Sequence, residues 1–250
     1  MPERSALDNP WIRRLVAVPE SELRLICFPH AGGSAGYYRH LAMALAPRVE
    51  TLAVQYPGRQ DRRREPPLES IAEMADACFE ALGGCLDRPY AFFGHSLGAV
   101  VAYEVALRAE QSAPPAGRRP MRLFASAKSA PCVVRQRQVH RFDDDGLMRE
   151  VRKLGGTGQT LTAPGVRALF LSAMRADYRA VETYTPAEGA RLACPITVLV
   201  GDSDPLVRVT DTAAWERHTN GGIDSHVFEG GHFYLDSKVQ QVAAAVLAAL

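Results

Sequence analysis

The sequence predicts an α/β fold, a mostly parallel sheet with helices on both faces, in a single domain spanning residues 1–250. Short apolar runs rich in β-branched and aromatic residues alternate with longer stretches whose apolar residues recur at helical spacing. A strand–helix–strand rhythm of this kind builds a parallel sheet covered on both sides. Length and composition agree, because 250 residues with 47% hydrophobic and 23% charged side chains can bury one large core.

Along the chain, strands are expected at residues 23–28, 51–56, 90–94, 123–127, 196–200 and 225–228. Helices are expected between and after them, at residues 37–45, 71–82, 97–108, 211–217 and 238–249. The polar, proline-rich stretch at residues 112–117 reads as a surface loop. Residues from about 131 to 193 break the rhythm, inserting two helical patterns between one strand and the next. Leu147, Met148, Val151 and Leu154 share a helical face behind Asp143, Asp144 and Asp145, which suit a helix start. Pro164 opens a longer pattern through Phe170, Ala173, Met174, Tyr178 and Val181, and the glycines at 155–158 join the two. The insertion is too short for a domain and too helical for a loop. It is expected to be a lid over a site, with Phe170 and Met174 as candidate substrate contacts; a plain structural layer is the alternative.

Twenty-nine Lys and Arg against twenty-eight Asp and Glu leave a net charge of +1, so global electrostatics favours neither nucleic acid nor an anionic membrane. Five scattered cysteines without a CxxC pair fit neither a disulfide framework nor a zinc site. Arg13 and Arg14 interrupt the apolar stretch of residues 1–18, so no secretory leader is expected there. No apolar run is long enough to cross a bilayer, and the expected location is the cytoplasm.

Gly94-His95-Ser96-Leu97-Gly98 matches GxSxG in a telling context. An apolar strand precedes it, and a helix with small residues follows. So sharp a strand-to-helix turn leaves no room for side chains two positions either side of the serine, which explains both glycines. Ser96 is therefore the candidate nucleophile. A serine hydroxyl needs a base and the base a carboxylate, and in the α/β-hydrolase fold these follow in the order serine, acid, histidine at strand ends. His232, on a glycine turn after the last strand, is the candidate base. Asp202 and Asp204 both sit in the preceding strand-end turn; Asp204 can reach the histidine loop, while Asp202 suits turn capping. Two backbone donors must hold the oxyanion. One is expected from Leu97, after the nucleophile, and one from Ala31 in the glycine-rich loop after the first predicted strand.

The segment with Arg59, Arg62, Arg63 and Arg64 follows a strand end on the same side as Ser96. A solvated loop is the plainer reading, and a basic docking patch the functional one. His95 is expected to pack or hydrogen-bond locally.

Together, Phe28-Pro29-His30-Ala31-Gly32-Gly33-Ser34, Tyr56-Pro57-Gly58-Arg59, Glu65-Pro66-Pro67, the GHSLGA turn at Ser96, Gly201-Asp202-Ser203-Asp204-Pro205 and Gly230-Gly231-His232-Phe233-Tyr234-Leu235 resemble the type II thioesterases of polyketide and nonribosomal peptide synthases. The resemblance runs from Leu23 to Leu235. It implies a stand-alone enzyme that clears acyl groups from the phosphopantetheine arm of an acyl or peptidyl carrier protein. It also implies a triad of Ser96, Asp204 and His232, oxyanion donors at Ala31 and Leu97, and a lid at 131–193. No metal or other cofactor is implied, since the pantetheine arrives with the substrate, and a monomer is the favoured state. A general serine esterase or lipase, or a non-catalytic carrier-binding module, are the alternative functions.

Overall fold

The computed structural model describes residues 9–112, 119–133, 137–155 and 164–250. The first eight residues of the 1–18 stretch, in which no leader is expected, most of the loop at 112–117 and the glycine connection after Gly155 lie outside the described residues.

In chain order the elements are β1 (Ile12–Val16), β2 (Arg24–Phe28), α1 (Arg39–Leu45), β3 (Glu50–Val54), α2 (Ile71–Leu82), β4 (Tyr90–His95) and α3 (Leu97–Gln111). Then follow β5 (Leu123–Ser126), α4 (Asp144–Lys153), α5 (Pro164–Glu182), β6 (Ile196–Gly201), β7 (Ile223–Phe228) and α6 (Val239–Ala249). The seven strands lie in the order β1-β3-β2-β4-β5-β6-β7, all parallel except β1, which runs antiparallel to β3.

β2, β3, β4, β5 and β6 are buried along their length, which is why they read as unbroken apolar runs. Alternate side chains go to opposite faces. Ile26, Phe28 and Phe92 join α2 and α3 in one core, while Leu25, Cys27 and Phe93 join α1 and α6 in the other.

Two elements depart from expectation. β1 was not anticipated, because its arginines interrupt the apolar pattern; as an edge strand it is held by its ladder to β3 and by the Arg14–Glu50 ion pair at 2.9 Å. The helix expected at 211–217 is a 3₁₀ helix, Val209–His218. Its buried residues are Thr212, Trp215 and His218, a period of three that matches the tighter turn.

α4 and α5 form the expected helical insertion. Asp143 caps α4 by accepting from Gly146 N at 2.7 Å. Val139, Leu147, Met148, Val151, Leu171, Met174 and Tyr178 pack as a separate small core, whereas Ala180, near the end of α5, belongs to the main one. One helix thus spans both. β5 and β6 are parallel neighbours, so the insertion is also the crossover that joins them. All five cysteines are free, four of them buried and Cys132 half-buried.

Candidate active site

Ser96 sits between β4 and α3 with φ 55° and ψ −118°, a conformation that L side chains rarely adopt. The turn is as tight as the sequence demanded. A Cβ on Gly94 would lie 2.2 Å from the carbonyl oxygen of Gly98, and one on Gly98 would lie 1.9 Å from that of Phe28.

The serine Oγ lies 3.0 Å from His232 Nε2, and His232 Nδ1 lies 2.9 Å from Asp204 Oδ2. Each partner comes from a strand end: Asp204 follows β6 and His232 follows β7. Asp204 Oδ1 also accepts from Leu206 N at 2.8 Å, which fixes the carboxylate toward the imidazole. Asp202 takes the other expected place. Its Oδ1 accepts from Ser203 Oγ at 2.6 Å and Gly230 N at 3.0 Å, and these bonds hold its carboxyl below the usual range.

Two further imidazoles pack around His232. His95 lies 5.5 Å away between ring centres, and its Nδ1 meets Ser126 Oγ at 2.8 Å, which in turn meets Tyr234 Oη at 2.6 Å. Burial first, then the His232 charge, pushes His95 well below the usual imidazole range and His30 down to about 3. Both stay neutral at physiological pH. Among the described residues neither His30 nor His95 has a carboxylate hydrogen-bond partner of the kind Asp204 provides to His232.

A cavity of about 300 Å³ opens at Ser96 and His232. Ala31 and Leu97 line its reactive end, and Phe170, Met174 and Tyr178 of α5 line its apolar wall. Leu97 is the first residue of α3, where backbone N–H groups lack helical acceptors. The loop bearing Ala31 lies directly under the insertion, because a Cβ on Gly32 (φ 72°) would lie 2.2 Å from Met174 Sδ.

The arginine-rich segment requires a correction. Arg59 and Arg62 are each 6% exposed and cannot present their charges to a docking protein. Arg59 pairs with Asp177 and donates to Gly33 O at 3.0 Å and Pro57 O at 2.6 Å. Arg62 donates to Gln55 O at 2.8 Å and Glu65 Oε1 at 2.9 Å, and lies 4.3 Å over the Trp11 ring. Only Arg63 and Arg64 of the four are exposed.

Asp177 escaped the sequence reading. Its Oδ2 accepts from the backbone N–H of Gly32 at 2.7 Å, beside the expected oxyanion donor. A signal existed: on α5, Asp177 falls three residues after Met174 and three before Ala180, inside the apolar stripe, where a charge must have a buried partner.

Among the described residues no cluster of His, Cys, Asp and Glu could hold a metal ion, and no helix is long and apolar enough to cross a membrane.

The sheet order, the strained turn and the succession of serine, acid and histidine along the chain make this an α/β-hydrolase. Comparison with known proteins narrows the class. Residues 23–250 match a family model described as a thioesterase domain. The chain is 44% identical over 234 residues to thioesterase PikA5 of Streptomyces venezuelae, covering 93% of this chain and 82% of that one. It is 42% identical over 241 residues to a probable cadicidin biosynthesis thioesterase of Streptomyces griseus, covering 96% of this chain and 66% of that protein. The solved type II thioesterase BorB from the borrelidin biosynthetic cluster superposes with a TM-score of 0.85 at 44% identity, over 96% of this chain and 98% of that one. The chain belongs to the thioesterase family, and it is a serine-type thioester hydrolase.

Proposed function

We propose that the protein hydrolyses acyl groups from the phosphopantetheine arm of acyl or peptidyl carrier proteins in polyketide or nonribosomal peptide biosynthesis, with Ser96, His232 and Asp204 as its triad. The observation that carries the chemistry is the continuous Oγ–Nε2 and Nδ1–Oδ2 relay at 3.0 and 2.9 Å, opening on an apolar cavity. Ser96 Oγ attacks the thioester carbonyl carbon while His232 Nε2 takes its proton, and Asp204 holds the imidazole and stabilises the imidazolium. The carbonyl oxygen becomes an oxyanion held by the backbone N–H groups of Ala31 and Leu97. Collapse breaks the C–S bond, the pantetheine sulfur leaves with a proton from His232, and an acyl-serine remains. Water, deprotonated by His232, then attacks that ester and frees the acid.

These steps need no group beyond the side chains, the backbone and water; the pantetheine arrives with the carrier. We place the protein in the cytoplasm, where carrier-bound intermediates are made, acting as a monomer. The test compares an acyl-carrier thioester with the same acyl group on a simple oxygen ester. The proposal expects a burst of acyl-enzyme and a higher kcat/KM with the carrier substrate. Equal or better hydrolysis of the free ester would identify a general esterase, and carrier binding without turnover would identify a binding module.

A further inference from the structure

We propose that Asp177 and Arg59 are positioning residues for the oxyanion loop, so that the helix roofing the cavity is part of the catalytic geometry. The proposal rests on the reading of Ser96, Ala31 and Leu97 given above.

The loop after β2 contains consecutive glycines, Gly32 and Gly33, and would have wide conformational freedom if left alone. Two buried side chains remove it. Asp177, from α5, accepts from Gly32 N–H at 2.7 Å, and Arg59, from the loop after β3, donates through Nε to Gly33 O at 3.0 Å. The two side chains are 1% and 5% exposed and pair with each other through the same Oδ2. The peptides on either side of the Gly32–Gly33 link, Ala31–Gly32 and Gly33–Ser34, are therefore each held by a buried side chain. The peptide carrying Gly32 N–H is separated from the one carrying Ala31 N–H by a single Cα, so fixing the first limits rotation of the second. A preorganised donor stabilises an oxyanion only when it is held in place before the reaction.

The charges suit this role. A lone buried carboxylate beside the oxyanion position would oppose the negative charge that develops there, and the guanidinium cancels it. Burial pushes the Asp177 carboxyl above the usual range, and Arg59 with the Gly32 N–H pulls it only part of the way back. Asp177 Oδ1 finds no hydrogen-bond partner among the described residues. Its hydrogen bonds among the described residues are made by Oδ2, the oxygen that faces the loop and Arg59.

The experiment uses the full chain, an acyl-pantetheine thioester and the matching trifluoromethyl ketone. The ketone accepts Ser96 Oγ at its carbonyl carbon, the serine proton passes to His232, and a hemiketal oxyanion remains, so its affinity reports the oxyanion hole. Asp177→Leu, which keeps the branched skeleton and removes the acceptor, should lower kcat by about 10²-fold, the scale of a misplaced donor, with KM within about twofold. Ketone affinity should fall by the same factor. Asp177→Asn, which keeps an acceptor oxygen, should recover most of both.

Should Asp177→Leu not fold, Arg59→Met with Asp177→Leu takes its place, since removing both charges together leaves neither stranded. An unchanged kcat per folded molecule would overturn the proposal. So would a loss confined to KM or melting temperature, or an Asn variant no better than Leu. Turnover surviving in Ser96→Ala would overturn the reading of the site itself, whatever the Asp177 variants do.

Discussion

At the scale of single residues, chemistry and strain meet at Ser96. Ser96→Ala should abolish turnover while leaving the thermal transition in place, because the hydroxyl lies on a cavity-facing turn; stopped assays with calorimetry on the same sample check both. Asp204→Asn should lower kcat by about 10⁴-fold, as loss of the orienting carboxylate does in serine hydrolases, and Asp202→Asn far less. The reverse ranking would show that Asp202 orients the base, against the 2.9 Å contact from Asp204. Gly98→Ala should destabilise by roughly 1–3 kcal/mol in urea titrations, since the new methyl meets backbone that cannot rotate aside. These residues were legible in the sequence because each obeys a local rule: glycines beside a tight turn, an acid and a histidine at strand ends. Asp177 and Arg59 were not, because what defines each is the other, more than a hundred positions away. Arg62 was not, because its burial depends on the Trp11 ring over which it lies.

At the scale of elements, α5 divides its work between the cavity wall and the main core. Phe170→Ala or Met174→Ala should change the ratio of rates on long and short acyl chains while sparing the triad, measured as kcat/KM across a chain-length series. Unaltered ratios would mean that the acyl chain lies against another wall. Arg63 and Arg64 are what remains of the expected basic patch. Replacing both with alanine should raise KM for carrier-bound thioesters at low salt and leave a free pantetheine thioester unaffected; no change on either substrate would remove the loop from docking. The central strands were evident as apolar runs because they are covered on both faces. β1 was hidden because an edge strand needs only its ladder, and the 3₁₀ helix because a period of three is hard to separate from 3.6 over ten residues.

At the scale of the whole molecule, three buried imidazoles tie stability to pH. Burial first, then nearby positive groups, pushes His30 down to about 3 and His218 to about 4, and burial sets His95 well below the usual range. Free imidazole titrates near ~6.5, so below that pH the unfolded chain binds protons that the folded one refuses. Stability should therefore be full above about pH 6.5 and fall as pH drops toward the folded values. His218 offers a handle outside the active site. Its Nε2 accepts from Cys132 N at 3.2 Å, which a protonated ring could not do. His218→Gln should flatten the pH dependence of the urea midpoint by the share of one group; an unchanged slope would remove His218 from the linkage.

The insertion leaves the carboxyl end of β5 and must reach the amino end of the parallel β6, so the wall that shapes the cavity is also the bridge that completes the sheet. Descendants of such a protein can revise that wall by substitution, but they cannot discard it. A transplanted 131–193 cassette should function in a foreign host only when the host supplies an arginine for the aspartate the cassette brings, which makes positions 59 and 177 expected to be inherited together.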